Sequence, residues 1–123
     1  MKIKDMLDKV NRLKENTIDD ADKFEWINEL EGIVFNKVFA MAEDTDFTFT
    51  PNEYDVDIEN ELLIPVPYTD TYFHFLCAKI DEVNGEFTSY NNSMTLYNNM
   101  YEAFAIQYRR NHVPKQPATM GGY

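Results

Sequence analysis

Several residue types that carry chemistry are scarce in this chain. It holds one cysteine, Cys77, among 123 residues. That excludes an internal disulfide and any multi-cysteine metal site, and it suits a reducing cytoplasm. Glycine occurs four times, and no phosphate-binding glycine loop, nucleophile elbow or zinc spacing is present. Basic residues number 11 against 22 acidic ones, a net charge of -11. Nucleic-acid phosphates repel such a chain unless its few bases cluster, and the largest cluster is the pair Arg109-Arg110. No stretch approaches the roughly 20 apolar residues of a membrane span, and Met1-Lys2-Ile3-Lys4-Asp5 leads into mixed charge.

What the chain does have is aromatic residues, 15% of the total, with eight Tyr and nine Phe beside a single Trp. Tyrosine pairs an apolar ring with a hydroxyl that needs a partner, so Tyr-rich surfaces suit half-wet contacts. The length fits one domain, which buries roughly two thirds of the surface of its unfolded chain.

Ile3, Met6, Leu7, Val10 and Leu13 recur at helical spacing and predict a short amphipathic helix over residues 3–14 that must dock to persist. Thr17 is placed to cap a second helix from Ile18 to Ala40, with acidic Asp19 and Asp20 at its positive end. Ile27, Leu30, Val34 and Val38 share one face, with Trp26 and Ile33 beside them. Gly32 inside this helix costs about 1 kcal/mol relative to Ala, which a close helix contact would explain.

From Glu43 to Glu61 the chain holds eight acidic residues and no basic one. Glu53, Asp55, Asp57, Glu59 and Glu61 alternate with Tyr54, Val56, Ile58, Asn60 and Leu62, the period of a strand with one acidic face. Phe47 and Phe49 alternate with threonines upstream, and Pro51-Asn52 marks a turn. The expectation is an extended acidic arm or β-hairpin over 43–62, with a disordered acidic loop as the alternative.

After Pro65 and Pro67 a third helix is predicted from Thr69 to Val83, with Tyr72, Phe73, Leu76, Ile80 and Val83 inward. Asn84-Gly85 is a helix stop, so a fourth helix beginning near Glu86 should form an antiparallel hairpin with the third. Phe87, Tyr90, Met94, Tyr97, Tyr101, Phe104 and Tyr108 follow alternating steps of three and four, a coiled-coil-like core seam. Residues 112–123 carry two prolines and a Gly-Gly pair and read as a flexible tail. The predicted fold is mainly α: a single domain over 1–111, a small bundle of four helices with the acidic arm or hairpin between helices two and three.

Asp70, His74 and Cys77 share one side of the third helix and suggest a nucleophilic set. Neighbours on one helix point outward in parallel and leave no oxyanion site, so structural roles are expected. The acidic run resembles the first ligands of a calcium loop at Asp44 and Asp46, or at Asp55, Asp57 and Glu59. The sixth position, which must be Gly, is Phe49 or Asn60. Solvated acid is the expectation at Glu53, Asp55, Asp57, Glu59 and Glu61, and neither a metal, a cofactor nor an enzymatic activity is expected. Leu96, Met100 and Ile106 form a second apolar strip on the fourth helix, which then needs a second partner. Other helices of this chain and a neighbouring subunit are both candidates for it. Arg109 and Arg110 either complement the negative pole of that helix or pair with acid on another copy.

Leu63-Ile64-Pro65-Val66-Pro67-Tyr68, Tyr72, Ala78-Lys79-Ile80-Asp81, Asn84-Gly85-Glu86, Tyr90-Asn91-Asn92-Ser93-Met94 and Tyr108-Arg109-Arg110-Asn111-His112-Val113-Pro114-Lys115 carry a resemblance. Over residues 62–115 the chain resembles small head-tail connector, or adaptor, proteins from the neck of long-tailed phages and prophages of low-GC Gram-positive bacteria. The resemblance implies a non-enzymatic structural protein, a helical subunit forming a homo-oligomeric ring under the portal protein and binding a head-closure or tail protein below. It implies a virion location, with host cytoplasm during assembly, no membrane, and DNA passing through without specific binding. A different class, a cytoplasmic prophage-encoded protein-binding module or other helical morphogenesis factor, and a small hydrolase using His74 are the competing readings.

Overall fold

The computed structural model describes residues 1–115. It is mainly helical, with α1 over Ile3–Leu13, α2 over Asp20–Lys37, a 3-10 turn over Phe39–Met41, α3 over Asp70–Val83 and α4 over Phe87–Asn111. Helices α1, α2 and α3 pack on one another, and α4 meets α3 alone among the helices. Between α2 and α3 lies a long connection with no regular strand; the described residues contain only two isolated antiparallel bridges, Lys2 to Glu61 and Ala42 to Pro114.

The core is where the apolar periods meet. Ile3, Met6, Leu7 and Val10 of α1 enclose a layer with Phe24, Ile27, Leu30 and Val34 of α2 and Tyr72, Leu76 and Ile80 of α3. Leu13, grouped with the α1 face by spacing, is instead 58% exposed. Helix α2 starts later than expected: its N-cap is Asp19, and neither Thr17 nor Asp19 makes a side-chain capping bond. The turn before it is organised by Lys23, whose ammonium donates to Ile18 O at 2.7 Å and Asn16 Oδ1 at 2.8 Å. Helix α2 also ends before Ala40, because Val38 leads directly into the 3-10 turn. Gly32 answers no close helix contact: a Cβ there would lie 3.9 Å from the Phe49 ring, ordinary van der Waals distance.

The acidic arm is not a strand with one acidic face. Residues 53–60 coil through turns, with Asp57 N–H donating to Glu53 O at 2.8 Å and Asn60 N–H to Asp57 O at 2.9 Å. Tyr54 and Ile58, four residues apart, turn toward the core together, while Val56 between them is 71% exposed. Helix α1 supplies a physical reason. Its first N–H groups have no intrahelical acceptor, and the arm provides them: Ile3 N–H donates to Asn60 O and Lys4 N–H to Ile58 O, both at 2.9 Å. Glu59 and Glu61 then pair with Lys2 and the N-terminal amine. Upstream, Asn52 N–H donates to Asn28 Oδ1 at 3.0 Å, and Asn28 Nδ2 donates to Asn52 O at 2.9 Å.

The α3–α4 hairpin closes as its sequence implies. Gly85 adopts φ +70, with Gly85 N–H donating to Glu82 O at 3.2 Å and Glu86 N–H to Asp81 O at 2.9 Å. These two bonds satisfy carbonyls that the end of α3 leaves open. Val83 and Phe87 flank this turn at 59% and 69% exposed, so neither belongs to the core as their spacing predicted. At the other end of α4 the chain is docked over 112–115: Glu43 N–H donates to Val113 O at 2.7 Å and Lys115 N–H to Met41 O at 2.8 Å. These four residues are therefore not a loose tail, and the remainder of the expected tail lies outside the described residues.

The two glycines give opposite expected outcomes in urea denaturation. Gly85→Ala should lower stability by roughly 1–2 kcal/mol, purely from its left-handed backbone, since open space surrounds the position. Gly32→Ala should raise it by roughly 0.5–1 kcal/mol, because a helix interior favours Ala and the new methyl finds room.

Candidate functional site

Charged side chains sit inside this small core, and sequence reading missed all of them. Glu31 is 1% exposed. The Tyr72 hydroxyl donates to its Oε2 at 2.6 Å, and Leu63 N–H donates to both oxygens at 3.2 and 3.3 Å. Ile64 N–H in turn donates to the Tyr72 hydroxyl at 3.0 Å. Burial pushes the Glu31 carboxyl up to about 7, against the pull of its two hydrogen-bond partners. Burial and the facing carboxylate hold the Tyr72 hydroxyl well above its ordinary value. Lys23 and Asp81, each 1% exposed, are likewise partnered. Asp81 takes the Lys14 ammonium at 2.6 Å, a hydrogen bond that raises the lysine above its ordinary range. The available signal was position: Lys23, Ile27, Leu30, Glu31, Val34 and Val38 follow one helical face, so two charges stand within an apolar stripe. These groups hold segments together, and Glu31 also borders an open groove of about 290 Å³ between Phe47, Phe49, Asn52, Asn60 and Leu63.

The chemical constellations do not assemble. Asp70 is taken by Lys9 at 2.6 Å, and His74 meets the Phe73 ring edge-on at 5.6 Å. No hydrogen bond joins Asp70, His74 and Cys77 among the described residues. Burial lowers the affinity of His74 for a proton and pushes the Cys77 thiol up to about 11, away from the thiolate a nucleophile needs. No group of three or more His, Cys, Asp or Glu among the described residues is placed to hold a metal ion. Within the acidic set, Glu53, Asp55, Glu59 and Glu61 are exposed, whereas Asp57 is half-buried and accepts Glu53 N–H at 2.7 Å. The hollow beneath Tyr108 and His112 holds only about 70 Å³, while the larger ones, about 550 Å³ beside Phe35, Ala40 and Phe47 and about 490 Å³ between Lys14, Asn16 and Asn84, are shallow and open to solvent.

What remains is the surface of α4. Of its 25 residues only Phe104 and Ala105 are buried. Tyr90, Met94, Tyr97, Tyr101 and Tyr108 of the seam are half-buried along α3 and the 3-10 turn. Phe104 is held between Phe39 at 5.9 Å and Tyr68 at 5.8 Å, and Tyr108 meets Phe39 at 4.8 Å. His112 stacks on Tyr108 at 3.8 Å and reaches Asp44 at 2.9 Å. The opposite side has no such cover among the described residues. Leu96 is 50% and Ile106 41% exposed, with Met100 half-buried between them. Arg109 and Arg110 are exposed at its end and make no ion pair among the described residues. Among the described residues, this side of α4 therefore presents apolar and basic side chains to solvent. No helix of the described residues is long and apolar enough to cross a membrane.

Comparison of the chain with protein-family models, curated proteins and solved structures gave no match.

The two faces of α4 should separate in denaturation experiments. Phe104→Ala should cost roughly 3–5 kcal/mol, while Leu96→Ser and Ile106→Ser should each stay within about 0.5 kcal/mol. Glu31 sets a pH dependence. Its carboxyl rises from 4.5 unfolded to about 7 folded, so its neutral form favours the fold. The stability contributed by neutral Glu31 should be full below pH 4.5 and be lost as pH rises through about 7, by about 3 kcal/mol. Glu31→Gln should flatten that slope in urea melts across the range.

Proposed function

We propose that this chain is a non-enzymatic structural protein of a phage particle: a head-tail connector subunit that oligomerises into a ring between portal and tail. The observation that carries the proposal is the outer side of α4, which exposes Leu96 and Ile106, with half-buried Met100 at its edge, and ends in exposed Arg109 and Arg110 on a helix fixed at both ends. Exposed apolar surface in line with charge suits a protein partner, and each subunit of a ring must offer two such flanks. The resemblance over residues 62–115 to phage neck proteins supplies the biological setting. A net charge of -11 suits a channel wall that lets DNA pass without gripping it. Among the described residues Glu53 and Asp55 make no ion pair and stay open for such a role, while Glu59 and Glu61 are committed to Lys2 and the N-terminal amine. Under this reading the portal protein and a head-closure or tail protein are the partners.

Cryo-electron microscopy of purified particles, from the phage or induced prophage that encodes the chain, tests this directly. Density for this fold is expected as a ring at the neck. Particles whose neck contains no copy of the chain would sink the proposal.

A further inference from the structure

We infer that the outer face of α4 docks antiparallel on the exposed acidic face of α2 of a second copy, a heterologous contact that leaves both subunits with a free flank. This inference rests on the self-assembly reading and names the surface that meets the α4 strip.

Charge selects the partner surface. A chain carrying -11 repels its own copies, so association must bring its free bases onto its acids. Lys2, Lys4, Lys9, Lys14, Lys23 and Lys79 are already paired within the chain. Arg109 and Arg110 are the adjacent pair left exposed on a helix surface. The exposed side of α2 carries Asp22 and Glu25, and Glu29, which lies 3.9 Å from the Lys79 ammonium, in line with Ile33, which is 39% exposed, and half-buried Trp26 lies along the same side. That face is acidic at its start and apolar toward its end, whereas the α4 face is apolar at its start and basic at its end.

The same polarity fixes the direction. A parallel arrangement would set Arg109 and Arg110 against Lys37, the basic residue in the last turn of α2. An antiparallel arrangement sets them against Asp22 and Glu25, brings Ile106 to Trp26, and brings Ile33 between Leu96 and Met100. The lengths agree: Leu96 to Arg110 and Asp22 to Asn36 each span about 21 Å of helix. Opposed helix dipoles add to the preference. A two-fold pairing of α4 with itself would offer Arg109 only Glu102 and would leave the acidic face of α2 unanswered. Since α4 packs on α3 and not on α2, the two faces are separate surfaces, and repetition of the contact propagates along a ring or a filament.

Cysteine cross-linking of the full chain tests the pairing. Ala103 and Glu29 are both exposed and face each other in this register, whereas Cys77 is buried. Mild oxidation of the concentrated Glu29→Cys/Ala103→Cys protein should give a ladder of dimers, trimers and larger species on a non-reducing gel. Ala103→Cys alone should stay monomeric. Adding Arg109→Glu and Arg110→Glu should abolish the ladder, and Asp22→Lys with Glu25→Lys in that background should restore it. No cross-linked species, or dimers from Ala103→Cys alone, would overturn the inference. A failed ladder with the chain still present in the particle neck would strike this pairing and leave the connector proposal standing. A ladder with no copy in particles would do the reverse.

Discussion

A carboxylate removed from water must find hydrogen-bond donors where it stands, and Glu31 finds them in two segments far from it in sequence: Leu63 of the connection and Tyr72 of α3. A buried acceptor left unpartnered costs roughly 1–3 kcal/mol, more when charged, so the arrangement is selective even where its net stabilisation is small. The connection has to pass α2 at the height of Glu31. From there the chain upstream reaches the first turn of α1, where Asn60 and Ile58 offer their carbonyls to N–H groups that have no other acceptor. One buried acid thereby places the connection, and the connection places α1. A core of this size has few layers, and fixing the path of an otherwise irregular segment matters more here than it would in a larger domain.

Helices α3 and α4 were legible in the sequence because their signals are local. Asn84-Gly85 marks a stop through backbone conformation alone, and a period of three and four cannot be met by a strand. The connection was misread because its pattern satisfies two periods at once. Tyr54 and Ile58 are two steps of a strand apart and also one helical turn apart, and the choice was made by distant groups, the N–H donors of α1 and the Lys2 ammonium. Val83 and Phe87 continue the apolar pattern past the point where other elements cover it, since periodicity records a face and not what lies opposite. Lys23, Glu31 and Asp81 escaped notice because charge ordinarily means surface; Glu31 and Asp81 are buried with partners that only the fold brings near, and Lys23 with the turn just before its own helix. On α4 the exposed positions of Leu96 and Ile106 were legible as a second strip, because a helical period records a face whether or not anything covers it.

The distribution of charge follows a similar division. Most lysines are spent inside the molecule, closing α1 onto the connection and onto α3, and tethering the turn before α2. The acids outnumber them and remain at the surface, which leaves the basic end of α4 conspicuous on an otherwise anionic protein. Pairs exposed to water contribute little stability, so the internal use of lysine is better understood as positioning than as strength. The same reasoning applies between molecules: the two arginines would set the register and direction of an association whose affinity comes from the apolar residues beside them.

Helix α4 is therefore two surfaces on one rod, and its anchoring determines how the outer one can act. The Gly85 turn fixes one end, and the pairing of Val113 and Lys115 with the 41–43 backbone, together with the stack of His112 on Tyr108, fixes the other. Only two residues of its length are buried, so the helix is held by its ends and by aromatic edges along α3, with the outer side uncovered among the described residues. A segment that folds on binding must give up conformational freedom at that moment; a helix already held in place gives up little beyond a few side-chain rotamers. Short apolar strips can then suffice, because the contact need not offset the ordering of the backbone that carries it.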